Sequence, residues 1–142
     1  MKTHSEQAGQ LTVGGKDPRV TGIGYFLRKF KIDEWPQLWN IMMGEMSFVG
    51  PRPEVPKYVG LYTQDQLRVL NARPGLTDLA SVVYYSENEL LSKAADPEKE
   101  YIDNIMQEKL RLNLKHIDSQ SFGKDIKIIG MTFLRLIRPA AE

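Results

Sequence analysis

The segment MSFVGPRPEVPKY, residues 46–58, constrains the fold of this chain more than any other stretch. Pro51, Pro53 and Pro56 each fix φ at about −65° and lack a backbone N–H. The residues before them are also biased away from helical dihedrals. No continuous helix can pass through this proline segment, so regular structure on its two sides must be joined by an irregular connection.

Apolar residues at helical spacing predict helices on both sides of the proline segment. Ile23, Phe26, Leu27 and Phe30 recur at i, i+3, i+4 and i+7, which predicts a helix that starts at Thr21 or Gly22. A second helix is expected to open at Asp33 as its N-cap, to accept Pro36 in its first turn and to end at Gly44. Three later helices are predicted over residues 62–71, 87–117 (with a new start at Asp96 and Pro97) and 124–139.

The remaining segments complete the predicted fold class. LASVVYY, residues 79–85, is rich in valine and tyrosine and predicts a strand. Residues 1–19 are polar and glycine-rich, which predicts a flexible lead. We therefore expect an α+β fold that is predominantly helical with a small β component, in a single compact domain over residues 1–142.

Composition excludes several classes of site. The 142 residues include no cysteine, which rules out disulfides, thiolate nucleophiles and cysteine-ligated zinc. His4 and His116 are far apart, so a histidine metal site is not expected. No run of about 20 apolar residues is present to span a bilayer. The two ends of the chain are basic and its middle is acidic, which suits either an anionic ligand or simply solvated helix faces.

Adjacent carboxylates at Asp33 and Glu34 allow two interpretations. In the first, Asp33 caps a helix and Glu34 lies favourably at the positive end of the helix dipole. In the second, the pair forms a phosphoryl-transfer site, because carboxylate oxygens suit Mg²⁺ and an aspartate can act as a nucleophile toward phosphorus. The residues alone leave both open.

Two arginines are candidate phosphate ligands. Arg52 lies between prolines that restrict its backbone, and its planar guanidinium can bind two phosphate oxygens at once. A surface position, or a pair with Glu54, would explain it equally without a ligand. Arg28 is expected near the start of the second helix, where phosphate is favoured, or else faces solvent.

Two apolar groups have an ambiguous setting. Trp35, Trp39, Met42, Met43 and Phe48 form an aromatic and sulfur-rich cluster for which core packing is the default expectation. Residues 124–138 combine Ile, Leu and Phe with a basic rim and are likewise expected to pack in the core. A position at a membrane interface is the alternative for both groups.

Ordered motifs along nearly the whole chain resemble the bacterial sugar transferases, small monotopic polyprenyl-phosphate phosphoglycosyl transferases. The likeness lies in three segments, KDPRVTGIGYFLRKFKIDEWPQLWNIMMGEMSFVGPRPEVPKYV, RPGLTDLASV and EKLRLNLKHIDSQSFGKDIKII. Asp78 departs from the pattern, because many members have glycine there. Tyr85 stands where one branch often has arginine.

The resemblance implies an activity and a role for each site residue. A sugar 1-phosphate would pass from a UDP-sugar to polyprenyl phosphate, to start the assembly of exopolysaccharides and glycoconjugates. Asp33 would be the nucleophile that forms a covalent phosphosugar, Glu34 its partner, and both would hold Mg²⁺. Arg28 and Arg52 would contact phosphate. The expected partners are the UDP-sugar, the polyprenyl phosphate lipid and the membrane surface, with no nucleic acid.

Family members begin with an apolar re-entrant membrane helix, and Met1 resembles the last residue of the element that follows it. We therefore expect a membrane-surface catalytic domain that lacks this anchor, at the cytoplasmic face of the bacterial inner membrane. A soluble cytoplasmic protein is expected if the anchor is genuinely missing. The alternative from another functional class is an inactive remnant that serves only as an interaction module.

Overall fold

Eight α-helices and two short strands form the part of the chain that the computed structural model describes, residues 21–29 and 35–137, without the side chains of Tyr25, Arg28 and Lys29. The helices are α1 (Gly22–Lys29), α2 (Pro36–Met42), α3 (Pro56–Val59), α4 (Leu79–Val83), α5 (Glu87–Lys93), α6 (Pro97–Glu100), α7 (Met106–Asp118) and α8 (Phe122–Ile137). The strands are β1 (Ser47–Val49) and β2 (Gly75–Thr77), and a 3-10 helix (Gln66–Asn71) and a π-helical turn (Tyr101–Ile105) complete the regular structure. A predominantly helical fold with a small β component is confirmed.

The helix starts follow local chemistry. The α1 helix begins where expected, and the Thr21 hydroxyl accepts a hydrogen bond from the Gly24 N–H at 3.1 Å. The α2 helix begins at Pro36, which needs no N–H in a first turn. Asp33, its expected cap, lies outside the described residues. Asp96 caps α6 as expected, accepting hydrogen bonds from the N–H groups of Glu98 and Lys99 at 3.1 and 3.0 Å.

Strands β1 and β2 run parallel, with Ser47 opposite Gly75 and Val49 opposite Thr77. Parallel strands need a crossover connection. Here the proline segment, α3 and the 3-10 helix supply it. Both strands end directly before the loops that carry Arg52 and Asp78, which brings two distant parts of the sequence together.

The predicted strand over residues 79–85 is wrong. This segment forms α4, and the strand lies immediately before it, in β2. The Asp78 side chain caps α4 by accepting a hydrogen bond from the Ser81 N–H, while Ala80 and Val82 are buried. A cap and tertiary burial have overridden the β preference of the valines.

Two apolar clusters form the core. The larger lies between the 3-10 helix, α5, the π-helical turn and α7, and its buried members are Tyr58, Val69, Leu91, Tyr101, Ile105, Met106, Leu110 and Leu114. The smaller joins β1, α4 and α8 through Val49, Val82 and Ile128. At the α7–α8 corner, His116 Nε2 lies 3.0 Å from Asp125 Oδ1.

The two ambiguous apolar groups are largely exposed, so the expectation that they pack in the core is wrong. Trp35, Trp39 and Met42 have exposed fractions of 65%, 63% and 78%. In α8 the buried residue is Ile128, whereas Phe133 and Leu134 are about as exposed as the tryptophans. None of the helices within residues 21–29 and 35–137 is long and apolar enough to cross a membrane.

Candidate functional site

A cavity of about 760 Å³ lies between α2, the proline segment, α4, α5, α7 and α8. Its apolar wall comes from Trp35, Leu38, Phe48, Leu76, Val82, Ile129, Phe133 and Leu136. Its polar lining comes from Arg52, Thr77, Ser81, Tyr84, Tyr85, Glu87, Asn88, Lys109, Thr132 and Arg135. An apolar pocket with a few convergent polar groups is the usual form of a small-molecule site.

Arg52 lines this cavity from a loop that is held at its backbone. Its N–H donates to Asp78 Oδ2 at 3.2 Å, and the neighbouring Pro51 carbonyl accepts from the Gly75 N–H at 3.2 Å. Gly50 and Gly75 permit this approach, because a Cβ on Gly75 would lie 2.1 Å from the Gly50 nitrogen. The loop that carries Arg52 is thus fastened to β2 and to the start of α4.

The Glu54 side chain also holds this loop in place through hydrogen bonds. One Glu54 oxygen accepts from the Val55 N–H at 3.0 Å, and the other accepts from the Tyr101 hydroxyl. Burial is the main cause that raises the pKa of Tyr101, and the hydrogen bond to Glu54 raises it further. Burial and the Glu54 charge raise the pKa of Tyr62 to about 12. Both phenols therefore remain protonated near neutral pH and can donate hydrogen bonds.

Lys109 adds a second cation to the lining. Its Nζ lies 2.9 Å from Glu87 Oε2, and both side chains are about three-quarters buried. The same ammonium lies 5.4 Å from the centre of the Tyr101 ring, within cation–π range. Arg135, on α8, supplies a third cation to the lining. The described lining thus has three cations against one carboxylate, Glu87, together with several aromatic rings, which suits an anionic ligand that also has an apolar or ring-shaped part.

Two threonines that line the cavity, Thr77 on β2 and Thr132 on α8, form a hydrogen bond with each other. The Thr132 hydroxyl donates to the Ile128 carbonyl at 2.9 Å, which uses its only proton. The Thr77 hydroxyl, 2.7 Å away, must therefore donate to Thr132. This contact places α8, with Phe133 and Arg135, against β2.

Comparison with known proteins decides the family. The bacterial sugar transferase family matches residues 1–139 of the 142. The chain is a bacterial sugar transferase family member.

Three relatives illustrate the similarity. The galactosyl transferase CpsE of Streptococcus agalactiae is 34% identical over 91% of this chain and 25% of its own length. An undecaprenyl-phosphate glucose phosphotransferase of Komagataeibacter xylinus is 38% identical over 85% of this chain and 22% of its own length. An undecaprenyl-phosphate galactose phosphotransferase of Salmonella typhimurium is 48% identical over 46% of this chain and 14% of its own length. The chain spans a quarter or less of each of these proteins.

Of the four predicted site residues of this sugar transferase chain, Arg52 is the one whose side chain the structure describes, and it lines the cavity. Asp33 and Glu34 lie outside the described residues. The backbone of Arg28 belongs to α1, but its side chain is not among those that the structure describes. Trp35, the residue after Glu34 in the sequence, lines the cavity.

Sequence reasoning missed Lys109 and Glu87 as site residues. Lys109 follows Met106 by three positions and precedes Asn113 by four, so it shares the buried face of α7. A lysine on an otherwise buried helix face was the available signal. No corresponding signal was present in the sequence for Glu87, because its partner Lys109 lies 22 residues away along the chain.

The described residues do not by themselves supply a metal site. No group of three or more Asp, Glu, His or Cys side chains converges within residues 21–29 and 35–137. The carboxylates at or beside the cavity already have partners. Glu87 forms an ion pair with Lys109, and Asp78 accepts hydrogen bonds from three N–H donors. A Mg²⁺ ion at this site would depend on Asp33 and Glu34.

Proposed function

We propose that this chain transfers a sugar 1-phosphate from a UDP-sugar to polyprenyl phosphate, as the first step in the assembly of an exopolysaccharide or glycoconjugate. Family membership supports the class of reaction, and two of the relatives above carry undecaprenyl-phosphate sugar phosphotransferase names. The observation that carries the proposal is the cavity that combines Arg52, Lys109 and Arg135 with aromatic rings. Such a lining suits a nucleotide sugar, which has both phosphates and a flat base.

The proposed reaction has two displacements. A carboxylate oxygen of Asp33 attacks the phosphorus that bears the sugar, the bond from that phosphorus to the UMP oxygen breaks, and UMP leaves with the electron pair. A phosphate oxygen of the polyprenyl phosphate then attacks the same phosphorus. The bond to Asp33 breaks, which yields polyprenyl diphosphate-sugar and restores the carboxylate. Covalent catalysis of this kind divides one difficult displacement into two easier ones.

Electrostatic stabilisation is the proposed task of the cations. Negative charge accumulates on the phosphoryl oxygens as Asp33 approaches, so fixed donors lower the barrier. Arg52 is suited to this role because its loop is held at its backbone. Asp33 and Glu34 would hold Mg²⁺, which supplies further charge neutralisation when bound.

UMP release tests the assignment of the nucleophile. The chain, mixed with detergent-dispersed polyprenyl phosphate, Mg²⁺ and a panel of UDP-sugars, is expected to release UMP from at least one of them. Asp33→Asn should lower the turnover to near background, and Asp103→Asn, an exposed carboxylate elsewhere, should not. UMP release at the parent rate by Asp33→Asn would exclude the covalent mechanism. Absence of turnover with every UDP-sugar would favour the interaction module.

We also propose that the exposed apolar residues of α2 and α8 contact the cytoplasmic membrane surface, where the lipid substrate resides. Trp39 and Met42 on α2, Trp35 directly before it, and Leu134 and Ile137 on α8 are each at least 60% exposed. Lys124 and Lys127 accompany them on α8. Tryptophan and basic residues beside an apolar surface are typical of helices at a bilayer interface.

Vesicle co-sedimentation tests the membrane contact. Leu134→Glu is expected to weaken binding to vesicles of anionic phospholipid at least several-fold, because a carboxylate resists transfer into the interface. Leu70→Glu is the matched control, since Leu70 is about equally exposed but lies on the 3-10 helix. Equal binding of both variants would exclude α8 as the membrane-contacting element.

A further inference from the structure

Asp78 is a buried carboxylate that receives three hydrogen bonds from three different segments. The exposed fraction of Asp78 is 2%. Oδ2 accepts from the Arg52 N–H at 3.2 Å and from Asn113 Nδ2 at 3.2 Å, and Oδ1 accepts from the Ser81 N–H. All three partners are donors, so both oxygens act only as acceptors. This residue connects the proline segment, α4 and α7 at one point.

The Arg52 N–H is the one backbone donor that residues 51–53 possess, because Pro51 and Pro53 have none. Asp78 accepts from this donor across 26 positions in the sequence. The Pro51 carbonyl is fixed separately by the Gly75 N–H. Loss of Asp78 would remove the hydrogen bond that fixes the Arg52 N–H at the start of α4, although Pro53 would still restrict the backbone of Arg52.

We propose that Asp78 is a positioning residue, which fixes the backbone of Arg52 so that its guanidinium is presented to the substrate phosphate. The inference rests on the proposed function, because it assigns phosphate binding to Arg52. Asp78 does not line the cavity and touches no substrate in this proposal. We assign its effect on catalysis to the contact with Arg52, and the variants below separate this contact from the hydrogen bonds to α4 and α7.

Asp78→Ser separates the cap from the contact with Arg52. Serine is a good N-cap residue, so the hydrogen bond to the Ser81 N–H can be retained. Its side chain is one atom shorter and has a single oxygen, which cannot also serve the Arg52 N–H and Asn113. Asn113→Ala removes the bond to α7 and leaves the bond to Arg52. Asp96→Ser is the matched control, because Asp96 caps α6 away from the cavity.

The first measurement is amide hydrogen exchange, read by mass spectrometry on a peptide that contains Arg52. The Arg52 amide is expected to exchange at least tenfold faster in Asp78→Ser than in the parent, in Asn113→Ala or in Asp96→Ser. An unchanged rate in Asp78→Ser would overturn the proposed contact, and this result does not depend on any enzymatic activity.

The second measurement is UMP release from a UDP-sugar by the same variants. Asp78→Ser is expected to lower kcat/KM about 10- to 100-fold, as misplacement of a catalytic group does. In an Arg52→Ala background the same substitution should have no further effect. An undiminished kcat/KM in Asp78→Ser, or equal losses in both backgrounds, would overturn the positioning role. Absence of UMP release by the parent would instead contradict the proposed function.

Discussion

Gly50, which follows β1, and Gly75, the first residue of β2, lie in contact, and neither position has room for a side chain. A Cβ on Gly50 would lie 2.4 Å from the Arg73 carbonyl oxygen, and one on Gly75 would lie 2.1 Å from the Gly50 nitrogen. Both obstacles are backbone atoms, which cannot rotate away. This contact allows the proline segment to lie against the start of β2, and the Arg52 N–H reaches Asp78 directly after the same strand.

Gly75→Ala should therefore destabilise the fold. We expect a loss of about 3 kcal/mol in the free energy of unfolding, because the added methyl group requires the strands to separate. Urea unfolding followed by circular dichroism measures this change. Gly130→Ala is the control, since a Cβ there meets no heavy atom within 4 Å and α8 should gain up to about 1 kcal/mol. Similar effects of the two substitutions would contradict the close contact.

Arg52→Lys should impair catalysis although the positive charge remains. Lysine cannot offer the planar pair of donors that binds two phosphate oxygens, so we expect kcat/KM for UMP release to fall about 100-fold. Arg73→Lys is a matched control, because Arg73 is also exposed and also precedes a proline. A kcat/KM within twofold of the parent value for Arg52→Lys would show that the guanidinium geometry is not used.

Thr77 and Thr132 should behave as a coupled pair. Thr132→Val removes the acceptor of the buried Thr77 hydroxyl, which should cost about 1–2 kcal/mol of unfolding free energy. Thr77→Val combined with Thr132→Val should cost less than the sum of the two single substitutions, because no donor is then left without a partner. Chemical denaturation of the four proteins measures the coupling. Strict additivity would show that this hydrogen bond does not hold α8 against β2.

Stability should decline in alkaline solution through Tyr62. Its pKa is about 12 in the folded state and 10.0 ordinarily, so the folded protein holds the proton more strongly than the unfolded chain. This contribution is fully present below pH 10 and is lost between pH 10 and 12. Tyr101, whose pKa is also raised, acts in the same direction. Denaturant unfolding of the parent and Tyr62→Phe over this range should show a shallower decline in the variant.

Glu54→Gln provides an independent check on the same network. Removal of the negative charge should lower the pKa of Tyr62 toward its ordinary value, although burial will keep part of the shift. A spectroscopic titration of phenolate absorbance measures this directly. Glu89→Gln, an exposed position on α5, should leave the titration unchanged. No difference between Glu54→Gln and the parent would contradict the proximity of Glu54 to these tyrosines.

The sequence by itself determined those features that depend on neighbours along the chain. The Asp96–Pro97 pair specified a helix start, and Pro36 lies in the first turn of α2 as predicted, because capping and proline geometry act within one turn. The proline segment specified a break in regular structure for the same local reason. Motif order specified the family, and the residue type and prolines at Arg52 predicted a fixed anion ligand. Arg52 does line the cavity, although its role toward phosphate stays a prediction.

Tertiary structure decided everything that depends on contacts distant in sequence. It made residues 79–83 helical rather than extended, because Asp78 caps them and α7 and α8 bury their apolar side chains. It left Trp35, Trp39 and most of α8 exposed, although their hydrophobicity alone predicted burial. It also paired Lys109 with Glu87 and gave Asp78 the Arg52 N–H. Burial and long-range hydrogen bonds arise from the meeting of segments that no local pattern records.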